Sequence, residues 1–268
     1  MDSELVVELR RLEQQRGTGV LTVGDGAFHL VDGAIVAADC ERTAGLDRLV
    51  VASGVATTEH WRRARLGADD PLLSSPRLET LALLSIFDAA YVLLAAPAPL
   101  EFRAGPPHRL ARACRLTPGA LIHECARRGD PTAGMWPVEL VDRVAVVPVR
   151  RVRRRRVVLT GGQAEVLAAA DARRPVTGLA ELLGRTTYGC LLAVRELTAA
   201  GLIEPPAALA PTRPIAPARA ETVGAAPDLV PPLRRRMRQA EAVAVTDRWE
   251  PPDRDMLVRL RAALEELA

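Results

Sequence analysis

Apolar residues recur in the first part of the chain with two periods, and the period changes near residue 18. The three-and-four spacing of Leu5, Val6, Leu9 and Leu12 predicts a helix, capped by Asp2 or Ser3. Short β-branched runs then follow at Val20–Val23, Ala27–Val31 and Ala34–Ala38. The pair Asp32-Gly33 separates the last two, and Asp-Gly favours a type I′ turn because both central residues need positive φ. An antiparallel meander is predicted.

Three strands alone would expose one apolar face, and the next segments predict its helical cover. The first is a helix at Leu46–Ala52, ended by Ser53-Gly54. The second is a helix capped by Thr57 or Thr58, with Trp61, Ala64 and Leu66 predicted to point inward. A long amphipathic helix at Leu78–Ala95 and a returning strand at Leu100–Arg103 complete the unit. The predicted fold class is therefore α+β, with this unit at residues 1–110.

The order of these motifs resembles the PATAN-type domain of bacterial signalling proteins. The residues that carry the resemblance are Thr18-Gly19-Val20-Leu21, then Asp32-Gly33-Ala34-Ile35-Val36-Ala37-Ala38, then Ser53-Gly54. The resemblance implies an interaction module without catalytic residues, attached to response-regulator or GTPase-control systems. Small Ras-like GTPases and roadblock-type proteins are the partners that it suggests.

The sequence of residues 111–157 predicts a segment that connects the N-terminal unit to the module at residues 158–204. A short helix at Ala120–Arg128 is expected to turn His123 and Cys125 toward the packed face and leave Glu124 in solvent. Two β-rich runs, Val144–Val149 and Val152–Leu159, are interrupted by the charge of an arginine tract. The scattered histidines and cysteines form no ligand spacing, so no metal and no cofactor is expected.

The arginine tract holds six arginines in seven residues: Arg150, Arg151, Arg153, Arg154, Arg155 and Arg156. Three interpretations stay open. The tract is a solvated edge that blocks aggregation, a contact for nucleic-acid phosphates, or a contact for an acidic protein partner.

Residues 158–204 predict a three-helix, helix-turn-helix-like module. Thr160 caps the first helix, Thr177 caps a second at Gly178–Leu183, Gly184-Arg185 makes a turn, and Thr186 or Thr187 caps the third. Gly201 is expected to end the third helix in the left-handed conformation. The pattern, above all its ending ELTAAGLIE, is similar to winged-helix transcription regulators.

In winged-helix regulators the third helix enters the major groove of DNA. The expected exposed face here consists of Arg185, Thr186, Thr187, Gly189, Leu192, Ala193 and Glu196. Leu192 and Ala193 read bases poorly, Glu196 would repel phosphate, and prolines replace the wing after Glu204. The module predicts a regulator that binds either a protein or DNA.

The last part of the chain predicts a linker and a helical tail. Residues 205–232 are rich in Pro and Ala, and residues 233–268 are predicted to end in a helix. Its seam, which suits docking or self-association, is Leu257, Leu260, Leu264 and Leu267.

Composition narrows the function classes. All 36 basic residues are arginine, the net charge is only +3, and four scattered cysteines suggest a reducing, cytoplasmic compartment. No apolar run is long enough for a membrane span. Because no acid, base and nucleophile are paired, we predict a non-enzymatic bacterial adaptor that acts through protein–protein interaction. The alternative is a DNA-binding transcriptional regulator that uses Arg185 and the tract.

Overall fold

The computed structural model describes residues 4–66, 70–95, 97–150 and 157–206. Its helices are α1 Glu4–Gln14, α2 Leu46–Ala52, α3 Thr58–Leu66, α4 Pro76–Leu93, α5 Pro118–Arg127, α6 Gly161–Ala169, α7 Val176–Leu183 and α8 Thr187–Ala199. Its strands are β1 Gly19–Val23, β2 Gly26–Val31, β3 Ala34–Cys40 and β4 Leu100–Ala104. Short 3₁₀ turns lie at Pro71–Ser74, Arg109–Arg112 and Val138–Leu140. The fold is α+β, as predicted.

The four strands form one antiparallel sheet in the order β3-β2-β1-β4. Leu21 of β1 lies opposite Phe28 on one side and Phe102 on the other. Asp32 and Gly33 have φ values of 52° and 79°, which fit the type I′ turn. Both the meander and the returning fourth strand are confirmed.

Helix α4 supplies the main cover of the sheet and packs against β3. It begins as its sequence requires: the Ser75 side chain accepts a hydrogen bond from the Leu78 N–H at 3.2 Å, and Pro76 occupies the first helical position. Its apolar face, which includes Leu78 and Ile86, is buried. The bounds predicted for α2 are confirmed, and Gly54 after it has φ 70°.

Helix α3 departs from the prediction at its end. The Thr57 side chain accepts from the His60 N–H, and Trp61 and Ala64 are buried, as expected. Leu66 is 69% exposed, so its predicted inward position is wrong. Trp61 fills the space beneath the helix, and Leu66, at the last helical position, lies on the outer side.

Helices α6, α7 and α8 pack on one another, which confirms the three-helix pattern. Thr160 makes a capping box with Gln163, and Thr186 caps α8. The prediction that Thr177 caps α7 is wrong, because the helix already begins at Val176 after the fixed φ of Pro175. The Thr177 N–H instead donates to the carbonyl oxygen of Val141.

The segment 144–149 was expected to be a strand and makes only isolated bridges. The Val146 N–H donates to the Arg174 carbonyl oxygen at 2.9 Å, and the Val149 N–H donates to that of Leu202 at 2.9 Å. Pro148 has no N–H to continue a ladder. The segment therefore joins the turn before α7 to the chain after α8. Of the run Val152–Leu159, residues 152–156 lie outside the described residues.

Helix α5 corrects the expected orientation of its central residues. His123 is exposed, whereas Cys125 is buried. Glu124 is partly shielded because it accepts hydrogen bonds from Arg127 at 2.8 Å and Arg128 at 3.0 Å. Two neighbouring arginines thus draw the carboxylate against the helix instead of leaving it in open solvent.

One continuous core runs through the described residues, all of which belong to the unit Met1–Arg213. Trp136 is fully buried, and its indole N–H donates to the Thr198 hydroxyl at 2.9 Å. Arg195 donates to the Trp136 carbonyl oxygen at 2.8 Å, so the loop before residue 137 is fixed to α8. Among the described helices, none is both long and apolar enough to cross a membrane.

Candidate functional site

A surface cavity of about 670 Å³ lies between α2 and α3, and we call it the α2–α3 groove. Two neighbouring helices joined by a short turn form its walls, and the nearly buried Trp61 lies at its base. Its lining residues are Asp47, Arg48, Val51, Thr58, Trp61, Arg62, Arg65 and Leu66. The groove is open to solvent along the outer side of both helices.

Apolar side chains stay exposed in this groove. Leu66 is 69% exposed and Val51 is 37% exposed, although most large apolar residues of the described chain are buried. Exposed apolar side chains within a concave surface with a charged rim are typical of a binding site for another molecule. The position of Leu66 that contradicts the sequence-based prediction is thus also what makes the groove apolar.

Asp47 holds the two walls of the groove together. Its carboxylate accepts a hydrogen bond from the Trp61 indole N–H at 2.8 Å and from the Arg65 guanidinium at 2.7 Å. One acidic residue of α2 therefore ties down two residues of α3. The groove is preformed by these contacts and does not need a ligand to assemble.

The rim of the groove carries more positive than negative charge, since three arginines and one aspartate line it. Arg62 pairs with Glu59 at 3.0 Å, but both side chains are largely exposed, so this ion pair is weak. Arg48 donates to the backbone carbonyl oxygen of Glu181 at 2.9 Å, and this contact leaves the positive charge of Arg48 without a carboxylate beside it. A complementary ligand would combine apolar and acidic groups.

The groove is attached to the three-helix module. Besides the bond from Arg48 to Glu181, the end of α7 lies directly against α2, because a methyl group on Gly184 would overlap the Ala52 side chain. Gly184 also has φ 61°, a conformation that glycine adopts most easily. Leu182, on the same turn of α7, is 50% exposed.

The N-terminus of α8 is occupied by a buried carboxylate. Asp88 of α4 is fully buried and accepts hydrogen bonds from the backbone N–H groups of Thr187 and Tyr188, both at 2.7 Å. These are two of the four N–H groups that a helix start leaves without helical partners. Burial raises the pKa of Asp88 to about 6, while the two backbone bonds act in the opposite direction.

Side-chain contacts around Asp88 bury the start of α8 further. The Thr187 hydroxyl accepts from the Ala44 N–H at 3.2 Å. The Tyr188 ring meets the Tyr91 ring edge-on at 4.8 Å, and the Arg128 guanidinium lies 4.4 Å from the centre of the Tyr188 ring. The beginning of α8 is therefore a junction between the two halves of the described chain.

This junction changes the predicted exposed face of α8. Thr187 and Ala193 are buried, so the prediction that they lie on that face is wrong. Thr187 is covered because α4 packs against the helix start, whereas Ala193 lies in the middle of α8, a helix that packs against α6 and α7. The Thr186 hydroxyl caps the helix, and Arg185 pairs with Glu165 at 2.7 Å. The residues of α8 that stay exposed are Gly189, Leu192, Glu196 and Ala199.

The other predicted contact residues are mostly not described. Arg150 is exposed at the end of its segment. Arg151, Arg153, Arg154, Arg155 and Arg156 lie outside the described residues, as do Leu257, Leu260, Leu264 and Leu267. Their roles stay predictions.

All four cysteines, Cys40, Cys114, Cys125 and Cys190, are free and buried. Burial raises the pKa of Cys40, Cys114 and Cys125 to about 11 and that of Cys190 to about 12. Protonated, buried thiols are poor nucleophiles and poor metal ligands. Within the described residues, no group of three or more His, Cys, Asp or Glu side chains could hold a metal ion.

Two features of this surface were missed in the sequence. Asp88 did carry a signal, because it is a lone carboxylate in the long apolar run around Ile86 and Ala89. Such a charge must find partners or be neutralised, but the sequence does not show that the partners lie about a hundred residues away. The sequence gives a weaker indication of the groove, which consists of the arginines that precede Leu66.

No family model, no curated protein and no solved structure matches this chain. The geometry of the described residues is therefore what supports the functional proposals.

Proposed function

We propose that this chain is a non-enzymatic, cytoplasmic adaptor whose α2–α3 groove binds an amphipathic helix of a partner protein. The observation that carries the proposal is the exposure of Val51 and Leu66 inside a preformed concave surface rimmed by arginines. Apolar area at the centre and charge at the rim are the usual arrangement of a protein interface.

The shape of the groove favours a helical partner. Two neighbouring helices leave between them a channel that can take the apolar face of a third helix, anchored by residues three and four apart. The charge of the rim favours acidic residues beside that apolar stripe, because complementary charge speeds association and selects the partner. The partner segment is thus an acidic amphipathic helix.

The resemblance to the PATAN-type domain adds candidates for the partner. It suggests bacterial signalling systems with small Ras-like GTPases and roadblock-type proteins, and this is an analogy at the level of the fold. The groove lies in the part of the chain that carries the resemblance, between residues 47 and 66. The proposal does not depend on which of these proteins binds.

The non-enzymatic part of the proposal is supported by the titratable groups. The buried thiols have raised pKa values, as described above. The two His–Asp pairs, His29–Asp39 and His60–Asp70, have no hydrogen bond to a hydroxyl or thiol group among the described contacts. A nucleophile activated by a base would need such a bond.

The alternative of a DNA-binding regulator has the arginine tract in its favour. Against it stands the start of α8, the part that reads bases in winged-helix proteins, because α4 and Asp88 cover it. The exposed residues of α8 include Glu196 and no arginine. We therefore favour the adaptor.

Capture of partners from an extract of the source organism tests the proposal. The tagged full-length chain is compared with Leu66→Asp, which places a charge in the groove. The matched control is Val7→Asp on α1, where a similarly exposed apolar residue, 62% exposed, lies outside the groove. We expect a partner that the wild type and Val7→Asp retain, that Leu66→Asp loses, and that nuclease treatment leaves bound.

Two results would count against the adaptor. Equal capture by the wild type and both variants would show that the groove is not the binding surface. Loss of every partner with nuclease, together with saturable, salt-sensitive binding of duplex DNA that Arg185→Ala weakens, would favour the DNA-binding regulator.

A further inference from the structure

A second cavity, of about 410 Å³, lies beside β1 and β2 on the side of the sheet that carries His29, and we call it the histidine pocket. Six of the residues that line this pocket come from three parts of the chain: His29, Arg65, Leu73, Pro106, His108 and Arg109. The proposed binding of a partner helix in the α2–α3 groove does not involve this pocket.

The two imidazole rings lie against each other, with their centroids 4.4 Å apart. His29 Nε2 lies 2.9 Å from the Asp39 carboxylate, which can only accept, so this nitrogen carries a proton. That hydrogen bond lowers the pKa of Asp39. His29 is thereby held in one orientation at the side of the pocket.

His108 lines the pocket and carries its ring proton on Nε2. Its Nδ1 accepts from the backbone N–H of Leu110 at 3.3 Å, which places the proton of the neutral ring on Nε2. Burial, with the charge of His29 as a smaller cause, lowers the pKa of His108 to about 4. At neutral pH the ring is therefore neutral and offers Nε2–H.

Two arginines add positive charge. Arg109 donates through one guanidinium nitrogen to the carbonyl oxygens of Arg65 and Leu66 at the end of α3. Within the described part of the chain, Arg109 forms no ion pair with a carboxylate, and no acidic side chain lines the pocket. Two lining residues have an acidic partner outside the pocket: Arg65 pairs with Asp47, and His29 pairs with Asp39. The Asp39 carboxylate also acts on His108 and Arg65 through its charge.

We propose that the histidine pocket binds a small-molecule anion through its carboxylate or phosphate group. The guanidinium of Arg109 and the Nε2–H of His108 supply donors to the anionic oxygens, and the neighbouring Arg65 also lines the pocket. Charge-assisted hydrogen bonds of this kind are the strong ones. Leu73 and Pro106 would contact an apolar body attached to the anionic group.

Nuclear magnetic resonance of the histidine rings tests this proposal on the full-length chain. Inorganic phosphate and acetate are titrated separately at pH 7.5 and constant ionic strength, with chloride as the balancing anion. We expect saturable shifts of the His29 and His108 signals with one or both probes, with a dissociation constant on the order of millimolar. The exposed His123 should not shift, and the two probes separate phosphate from carboxylate recognition.

The variant Arg109→Gln should raise the dissociation constant about tenfold, because it removes the charge without an acidic partner. Its control is Arg103→Gln on β4, an exposed arginine outside the pocket that pairs with Glu101, and we expect no change there. Linear, non-saturating shifts in the wild type, or equal shifts at His123, would overturn the proposal. If Arg109→Gln does not fold, the wild-type titration still decides.

Discussion

The α2–α3 groove and the start of α8 have similar side chains in sequence and opposite environments in the structure. Both regions offer arginines and threonines at a helix, but only the face of α8 was predicted as a contact surface. At α8, the distant carboxylate of Asp88 and the ring of Tyr91 pack against the helix start. At α3, the helix end stays open, with Leu66 exposed. Tertiary contacts, and not local composition, decide which surface is free to bind.

The contrast assigns different roles to the two regions. The α8 junction connects the halves of the described chain and should determine stability. The groove is preformed but exposed, so its residues should matter for binding and little for stability. The predictions below test this division, from the largest expected effect on stability to the smallest.

Replacement of the buried carboxylate, Asp88→Ala, should have the largest effect. It leaves the N–H groups of Thr187 and Tyr188 buried without acceptors, and we expect a loss of about 4 kcal/mol of unfolding free energy. Chemical denaturation measures this. The control Glu79→Ala changes an exposed carboxylate on the same helix, and a similar loss there would refute the special role of Asp88.

The variant Gly184→Ala should cost about 3 kcal/mol, because it combines a left-handed backbone with overlap against Ala52. Gly201→Ala is the matched control. Gly201 has φ 72° but nothing within 4 Å of an added methyl group, so we expect about 1 kcal/mol. Thermal unfolding of both variants isolates the contact between α2 and α7, and equal costs would contradict it.

The pH dependence of stability should carry a signature of Asp88. Its pKa is about 6 in the folded chain and 3.8 for an ordinary aspartate, so between these values the folded state binds more protons. The stabilisation that proton binding gives is therefore present below pH 4 and is lost as the pH rises through 6. We expect the wild type to lose up to about 3 kcal/mol relative to Asp88→Asn over this range. A constant difference between the two proteins would show that the pKa is not raised.

Leu66→Asp should change the unfolding free energy by less than about 0.5 kcal/mol, because the side chain it replaces is already exposed. The same is expected of Val7→Asp. A large loss of stability in Leu66→Asp would mean that Leu66 contributes to packing, and its effect on partner capture would then have no simple interpretation. Circular dichroism during thermal unfolding is sufficient for this check.

Local elements were largely predictable from the sequence because their determinants are local. The Asp32-Gly33 turn, the left-handed Gly54 after α2 and the Thr160 cap depend on residues a few positions apart. Thr177 does not cap α7 because the helix begins earlier, at Val176 directly after Pro175. Here a stronger local signal lay only two residues away.

The sites were harder to predict because their contacts are distant in sequence. Asp88 meets Thr187 across 99 residues, and Arg48 meets Glu181 across 133. Hydrophobic periodicity assigns a residue to a helix face, but it does not show which other element covers that face. Ala193 is buried and Leu66 is exposed for this reason.

The most direct test of the α2–α3 groove is the affinity of the captured partner for two variants whose substitutions lie at adjacent positions of α3. Arg62 lines the groove and Arg63 does not, yet both are exposed and both pair with Glu59. Isothermal titration calorimetry of the full-length variants should show Arg62→Glu weakened about tenfold and Arg63→Glu within about twofold of the wild type. Equal weakening of both, or of neither, would contradict the proposal that an acidic amphipathic helix binds in the groove.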